Sequence, residues 1–216
     1  MTDPASWPDT RGWVAGALYA LVVTVLLVAA VRRYRRWPPG PADLVTLVRV
    51  GLIGAVTVLV ADGGPVGVLV PVTVLALVLD GVDGLVARGT RTESDFGARF
   101  DMEADAFLIL VLSVYVSWSL GPWVLVIGVL RYLFGAAAWA APWLRGPLPP
   151  SRARKAVAAG QGIVLTAAAS GLLPAPVAVA AVAGALAALV WSFGRDVSGL
   201  WRARSPRTGA RRERWL

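Results

Sequence analysis

Residues 80–105 of the chain read DGVDGLVARGTRTESDFGARFDMEAD and join two long apolar stretches. Eight of these positions follow the pattern D-x-x-D-G-x-x-A-R-(x8)-G-x-x-x-D-x-x-x-D, which contains four aspartates. A single Asp at the centre of a membrane helix costs roughly 2.5–3.5 kcal/mol on translocon scales, so four beside hydrocarbon need a counter-charge. Because carboxylate oxygens are hard ligands, they favour magnesium, manganese or calcium. The stretch therefore predicts a divalent-metal site at a membrane edge.

The composition indicates a membrane protein, since 57% of the 216 residues are hydrophobic and the mean hydropathy is +0.67. The apolar residues form seven runs, each close to the roughly 20 residues that a membrane-spanning helix needs. The runs cover about residues 13–31, 42–61, 66–86, 102–120, 122–143, 156–172 and 175–194. Cysteine and histidine are absent, which excludes thiolate and imidazole chemistry, a Ser-His-Asp triad, haem ligation and zinc fingers. The sequence predicts an all-α polytopic membrane protein.

The basic residues predict the orientation of the seven spans. Of the 21 Lys and Arg residues, 18 fall on alternate connecting segments, which places them on one side of the membrane. By the positive-inside rule that side is cytoplasmic, so the N-terminus faces out, in a plasma (inner) membrane. The first run is too long for a signal-peptide core, and its basic cluster follows it, which favours a retained anchor. The Arg-rich tail 195–216 is better explained by lipid headgroups than by nucleic acid.

The spacing of the four aspartates favours a shared site. Asp80 and Asp83 are three residues apart, and Asp101 and Asp105 are four apart, so each pair shares one face of a helix. Two such helices side by side would present four carboxylates to one space, where mutual repulsion requires cations between them. The arrangement fits two metal ions about 3.5–4 Å apart, the spacing that grips a phosphoryl group during displacement. A solvated loop is the alternative.

The other fixed positions of the pattern are small or cationic. Gly84, Ala87 and Gly97 allow a ligand to approach the helix backbone closely, although helix packing would also explain small residues. Arg88 offers a planar donor suited to phosphate oxygens. These residues predict a phosphate-bearing ligand beside the aspartates.

The eight positions resemble the signature of the CDP-alcohol phosphotransferases, integral membrane enzymes of phospholipid synthesis. The likeness covers about residues 40–196, which contain six of the seven runs. It implies a six-helix CDP-alcohol phosphotransferase-like bundle plus one extra N-terminal transmembrane helix. The predicted organisation is an N-terminal segment with that helix over 1–36, a membrane domain over 37–196 and a basic cytoplasmic tail over 197–216.

The resemblance also implies the chemistry. A phosphatidyl group would pass from a CDP-linked lipid such as CDP-diacylglycerol to an alcohol acceptor, with release of CMP. Asp80, Asp83 and Asp101 would hold two divalent ions, Mg²⁺ or Mn²⁺, while Asp105 would help to hold a metal and act as the catalytic base. The CDP-binding site implied by the resemblance comprises Asp80, Asp83, Gly84, Ala87, Arg88 and Gly97, together with Thr46 on the preceding run.

A second, weaker likeness covers residues 42–49, which read ADLVTLVR where family members commonly read P-N-x-x-T-x-x-R. Asp43, Thr46 and Arg49 are spaced three apart, so they share one side of a helix and could face the same site. The alternative is that Asp43 caps the helix N-terminus while Arg49 pairs with an inward-facing acid. Both interpretations stay open.

The acceptor is predicted only as a class. Candidate acceptor-binding residues are Arg131, Arg152, Arg154 and Arg195, which could bind a phosphorylated alcohol, although positive-inside topology explains the last three equally well. Residues 178–188 form a small-residue helix face that favours either a homodimer or packing within one subunit. The alternative function is a metal-ion or small-solute transporter using the same carboxylates, and a third is a scaffold whose site has decayed.

Overall fold

The computed structural model describes the backbone over residues 9–34, 41–90, 95–146 and 151–204, and side chains over 9–25, 45–82, 101–146, 151 and 153–204. Within this part the protein is all-helical, which confirms the predicted fold class. Each predicted apolar run corresponds to one helix, the fifth being flanked by the 3₁₀ turns Pro122–Val124 and Pro142–Arg145. The helices are α1 Thr10–Tyr34, α2 Pro41–Ala61, α3 Val66–Thr90, α4 Asp95–Leu120, α5 Leu125–Ala140, α6 Arg152–Ala169 and α7 Ala175–Arg204.

The helices α3 and α4 extend beyond the predicted apolar runs at the two ends that carry the aspartate pattern. The run predicted over 66–86 becomes α3, which continues to Thr90, and the run over 102–120 becomes α4, which begins at Asp95. All four aspartates of the pattern therefore lie on helical backbone, so the loop alternative is wrong.

The core of the bundle is centred on α4, which packs against α2, α5 and α6. Ile53 of α2, Leu69 of α3, Leu112 of α4 and Leu165 of α6 are fully buried in one hydrophobic cluster. Apolar side chains also cover the outside of the bundle, and Trp139 is 80% exposed. An exposed apolar exterior on this scale is characteristic of a surface that lipid covers.

Several helices are suited to spanning a bilayer. Within the residues whose side chains are described, three segments are long and apolar enough to cross it: Asp101–Leu120, Pro122–Ala140 and Ala175–Arg204. Shorter apolar helical segments cover Thr10–Val25, Val45–Ala61 and Val66–Val82. Together with the apolar exterior, these segments make the chain an integral membrane protein.

The first helix is attached to α2 by specific polar contacts. The Asp62 carboxylate, just after α2, accepts hydrogen bonds from the backbone N–H groups of Asp9 at 3.0 Å and Gly12 at 2.5 Å. It thereby satisfies donors at the α1 N-terminus that helical bonding leaves without partners. Farther along α1, the Tyr19 hydroxyl donates to the Val50 carbonyl at 2.7 Å. The additional helix is therefore packed onto the bundle.

Candidate active site

Three of the four predicted aspartates converge in the structure. Asp80 projects from α3, and Asp101 and Asp105 project from successive turns at the start of α4. One carboxylate oxygen from each residue lies within 4.8 Å of the other two, and all three residues are partly buried. The helix α2 packs against both α3 and α4 and thereby brings the two acidic segments together.

Arg49 of α2 lies among these three carboxylates. Its Nη1 is 2.9 Å from Oδ1 of Asp80 and also pairs with Asp101, while its Nη2 pairs with Asp105. The Arg49 side chain is only 1% exposed, whereas the three carboxylate side chains are 37–38% exposed. The arginine therefore closes the buried side of the cluster, and the acids form its open side. Of the two interpretations of Arg49, the structure supports pairing with inward-facing acids.

The described part of the cluster is acidic and suited to a hard cation. Three carboxylates face a single guanidinium, so the acids outnumber the base three to one in the described part of the cluster. Metal–oxygen distances are about 2.0–2.6 Å, so ligands on opposite sides of one ion are separated by roughly 4–5 Å. The three oxygens lie within 4.8 Å of one another, which is close enough for them to share one ion. The donor set therefore fits a divalent ion such as Mg²⁺ or Mn²⁺.

The remaining members of the pattern lie partly outside the described residues. Asp83, Gly84, Ala87 and Arg88 continue the α3 backbone, and Gly97 lies in the first turn of α4, but their side-chain surroundings are outside the described part. The same holds for Asp43 and Arg152. Their predicted roles remain predictions. Thr46 is described, is partly buried, and lies one turn before Arg49 on α2.

The candidate acceptor arginines separate into two places. Arg131 of α5 pairs with Glu103 of α4, with Nη2 and Oε1 2.6 Å apart. Arg154 of α6 and Arg195 of α7 instead meet around one acid, Asp196. Arg154 Nη1 lies 3.0 Å from Asp196 Oδ2, and Arg195 Nη2 lies 3.8 Å from Asp196 Oδ1.

A hydroxyl and an aromatic ring also contact Arg195, the arginine that follows Trp191 on α7. Arg195 donates to the Ser151 hydroxyl at 3.0 Å, and its guanidinium lies 5.0 Å from the centre of the Trp191 ring. Sequence reasoning missed Asp196 and Glu103 as partners. The sequence contains a signal for each of them, because Asp196 directly follows Arg195 and Glu103 lies between two aspartates of the pattern.

An apolar groove runs from the carboxylate cluster along the bundle between α3 and α6. Its cavity volume is about 610 Å³, and Asp80 lies in its lining. The α3 part of the lining extends from Asp80 back to Val70, a length of about 15 Å on a helix. Other residues of the lining are Val74, Leu77, Val78, Ile163, Thr166 and Leu172. The groove therefore offers an apolar surface that can hold a hydrocarbon chain beside one carboxylate of the site.

The small-residue face of α7 is used in part within the subunit. Ala178 and Val182 are buried, and the carbonyl of Ala185 accepts a hydrogen bond from the buried Gln161 of α6 at 2.8 Å. These contacts correspond to the intramolecular alternative for residues 178–188. The homodimer stays a prediction.

The family model described as CDP-alcohol phosphatidyltransferase matches residues 41–192. Two similar curated proteins are the CDP-diacylglycerol--serine O-phosphatidyltransferases of Helicobacter pylori strains ATCC 700392 / 26695 and J99 / ATCC 700824, which are 40% and 43% identical over 68 residues. Each match spans 29% of this chain and 29% of the relative. No solved structure matches the chain significantly.

Proposed function

Because the chain belongs to the CDP-alcohol phosphatidyltransferase family, we propose that it transfers a phosphatidyl group from a CDP-linked lipid to an alcohol and releases CMP. The observation that carries the proposal is the convergence of Asp80, Asp101 and Asp105 at the family's motif. Hard oxygen donors at this spacing suit a divalent ion, and a diphosphate is the part of a CDP-lipid that needs one.

The residues of the cluster have separate roles in the proposed reaction. Asp80, Asp101 and the predicted ligand Asp83, with help from Asp105, would hold two divalent ions, which when bound stabilise charge on the diphosphate. Asp105 would accept the proton of the acceptor hydroxyl on a carboxylate oxygen. The hydroxyl oxygen then bonds to the lipid-bearing phosphorus, the bond from that phosphorus to the CMP oxygen breaks, and CMP leaves with the electron pair.

The groove between α3 and α6 supports a lipid donor. A diacyl substrate whose diphosphate lies at the carboxylates needs an apolar route for at least one chain, and the groove begins beside Asp80. The acyl chains of a bilayer lipid already lie in hydrocarbon, so the groove would position a chain beside the site rather than add the affinity of transfer from water. In this arrangement the carboxylates lie at the cytoplasmic face of the plasma membrane, which agrees with the distribution of basic residues.

The acceptor is proposed as a small alcohol, with two classes to compare. The curated relatives are named as serine transferases, so serine leads the test panel. The pair of arginines around Asp196 favours phosphorylated alcohols such as glycerol phosphate or inositol phosphate, because guanidinium groups bind phosphate in a bidentate manner.

The test measures CMP release and the lipid product in membranes supplied with labelled CDP-diacylglycerol, Mg²⁺ and candidate alcohols. Asp105→Ala is expected to lower CMP release at least 100-fold, because general-base catalysis contributes about 10²–10⁴-fold. Asp9→Asn is the matched control, since it removes an exposed carboxylate at the start of α1. Unchanged CMP release in Asp105→Ala would refute the proposed mechanism. Metal uptake into vesicles that depends on Asp80 but not on CDP-lipid would favour the transporter instead.

A further inference from the structure

Arg49 is the most deeply buried charged side chain among the described residues, and its surroundings explain why it can remain there. Its 1% exposed guanidinium pairs with carboxylates from two other helices. Its Nε is also buried and has no hydrogen-bond partner among the described residues. The two terminal nitrogens therefore provide the ion pairs, and the position of the side chain depends on the three acids.

The acids depend equally on the arginine. Clustered carboxylates repel one another, and in a medium of low dielectric constant that repulsion is far larger than in water. A positive charge on the buried side of the cluster offsets it without help from solvent. Breaking a buried ion pair by removing one partner is strongly destabilising, because the remaining charge is left without compensation.

We propose that Arg49 is the resident counter-ion of this site, and that a divalent ion competes with it for the same three carboxylates. This inference rests on the metal site of the proposed function and adds a second role for the cluster. Without metal, Arg49 keeps the acids together and the bundle folded. With metal bound, the ion and the guanidinium repel each other, so Arg49 lowers the metal affinity of the substrate-free protein.

The competition has a consequence for the order of binding. An ion held weakly by the free site would be held more tightly once a diphosphate adds negative charge on the open side of the carboxylates. By linkage, the metal would strengthen diphosphate binding by the same factor. Arg49 would thus couple metal loading to the arrival of the CDP-lipid.

The experiment titrates Mn²⁺ into the purified full-length protein in detergent and counts free ions by electron paramagnetic resonance. Arg49→Met keeps the length of the side chain and removes its charge. We expect Arg49→Met to bind Mn²⁺ at least tenfold more tightly than the wild type, because a repelling charge a few ångströms away is removed. We also expect its Tm to be lower in EDTA and to rise more on addition of Mn²⁺.

Two further variants make the result specific. Arg49→Lys keeps a positive charge and is expected to bind Mn²⁺ with nearly wild-type affinity. Arg145→Met removes an exposed arginine that donates to the Ala138 carbonyl outside the cluster, and it is expected to leave Mn²⁺ affinity unchanged. A lower or equal Mn²⁺ affinity in Arg49→Met would overturn the proposal. So would a failure of Arg49→Met to fold at saturating Mn²⁺, because the ion should replace the missing charge.

The outcome also separates this inference from the proposed function. Wild-type protein that binds no Mn²⁺, with or without CDP, would contradict the metal site itself. Binding that is lost in Asp101→Asn but unaltered in Arg49→Met would preserve the metal site and refute only the competition.

Discussion

The contact between α1 and the bundle predicts that Tyr19 stabilises the part of α2 that carries Arg49. The Tyr19 hydroxyl donates to the carbonyl of Val50, the residue after Arg49, and its ring lies 5.4 Å from the Phe107 ring of α4. The ring also lies against Gly54, where an added Cβ would come within 2.8 Å of Tyr19 Cε1. Tyr19 therefore contacts two of the helices that form the acidic site.

The expected loss of stability is the sum of two contributions, one from the Tyr19 hydroxyl and one from the Tyr19 ring. Tyr19→Phe removes one hydrogen bond, which is worth about 1 kcal/mol. Tyr19→Ala also removes a partly buried ring and its aromatic contact, which adds roughly 2–3 kcal/mol. For a domain of this size, each kcal/mol lowers Tm by about 2–4 °C. We therefore expect a fall of a few degrees for Tyr19→Phe and roughly three times as much for Tyr19→Ala.

The assay is thermal unfolding of the purified protein in detergent, followed by far-ultraviolet circular dichroism, with CMP release measured in parallel. Leu18→Ala is the matched control, because Leu18 is the neighbouring residue on α1 and is 59% exposed. CMP release is expected to decline with Tm across the Tyr19 series. If Tyr19→Ala unfolded at the wild-type temperature, α1 would not stabilise the bundle and the reasoning would be refuted.

Two further predictions concern the groove and the arginine pair. Ile163→Trp narrows the groove between α3 and α6. It is expected to raise KM about tenfold for a long-chain CDP-diacylglycerol and to leave KM for a dihexanoyl analogue unchanged. Equal effects on the KM of both donors would contradict a chain-binding groove. Asp196→Asn removes the acid that Arg154 and Arg195 share. We expect the Tm of this variant in buffer to fall by several degrees, and inorganic phosphate to raise its Tm more than that of the wild type. If phosphate had no effect on Tm, the result would argue against an anion site at these arginines.

The helices and the shared face of Asp101 and Asp105 were predictable because each depends on local spacing. Seven apolar runs of spanning length correspond to the seven α-helices of the described residues, since a chain in lipid must satisfy its backbone hydrogen bonds internally. The four-residue interval between Asp101 and Asp105 places both carboxylates on one side of α4. Neither inference requires knowledge of which helices are neighbours.

The partners of the arginines were not predictable in this way. The spacing of Thr46 and Arg49 shows that they share a side of α2, but it does not show which helix that side faces. Arg131 pairs with Glu103 of α4, although sequence alone placed it among the candidate acceptor residues. Helix rotation is set by the packing of entire surfaces, and small differences in that packing decide which charges meet.

The position of Arg49 is explained by the counter-charge that an acidic site next to lipid requires on its buried side. A soluble enzyme can neutralise an empty carboxylate cluster with water and dissolved ions on every side. Here the apolar bundle closes the buried side, so a counter-charge on that side has to come from a helix that packs against both acidic segments. The helices α2 and α6 both contact α3 and α4, and α2 carries Arg49 at the level of Asp80 and Asp105. Under the proposed function, the open side of the acids would then receive a divalent ion and its diphosphate ligand.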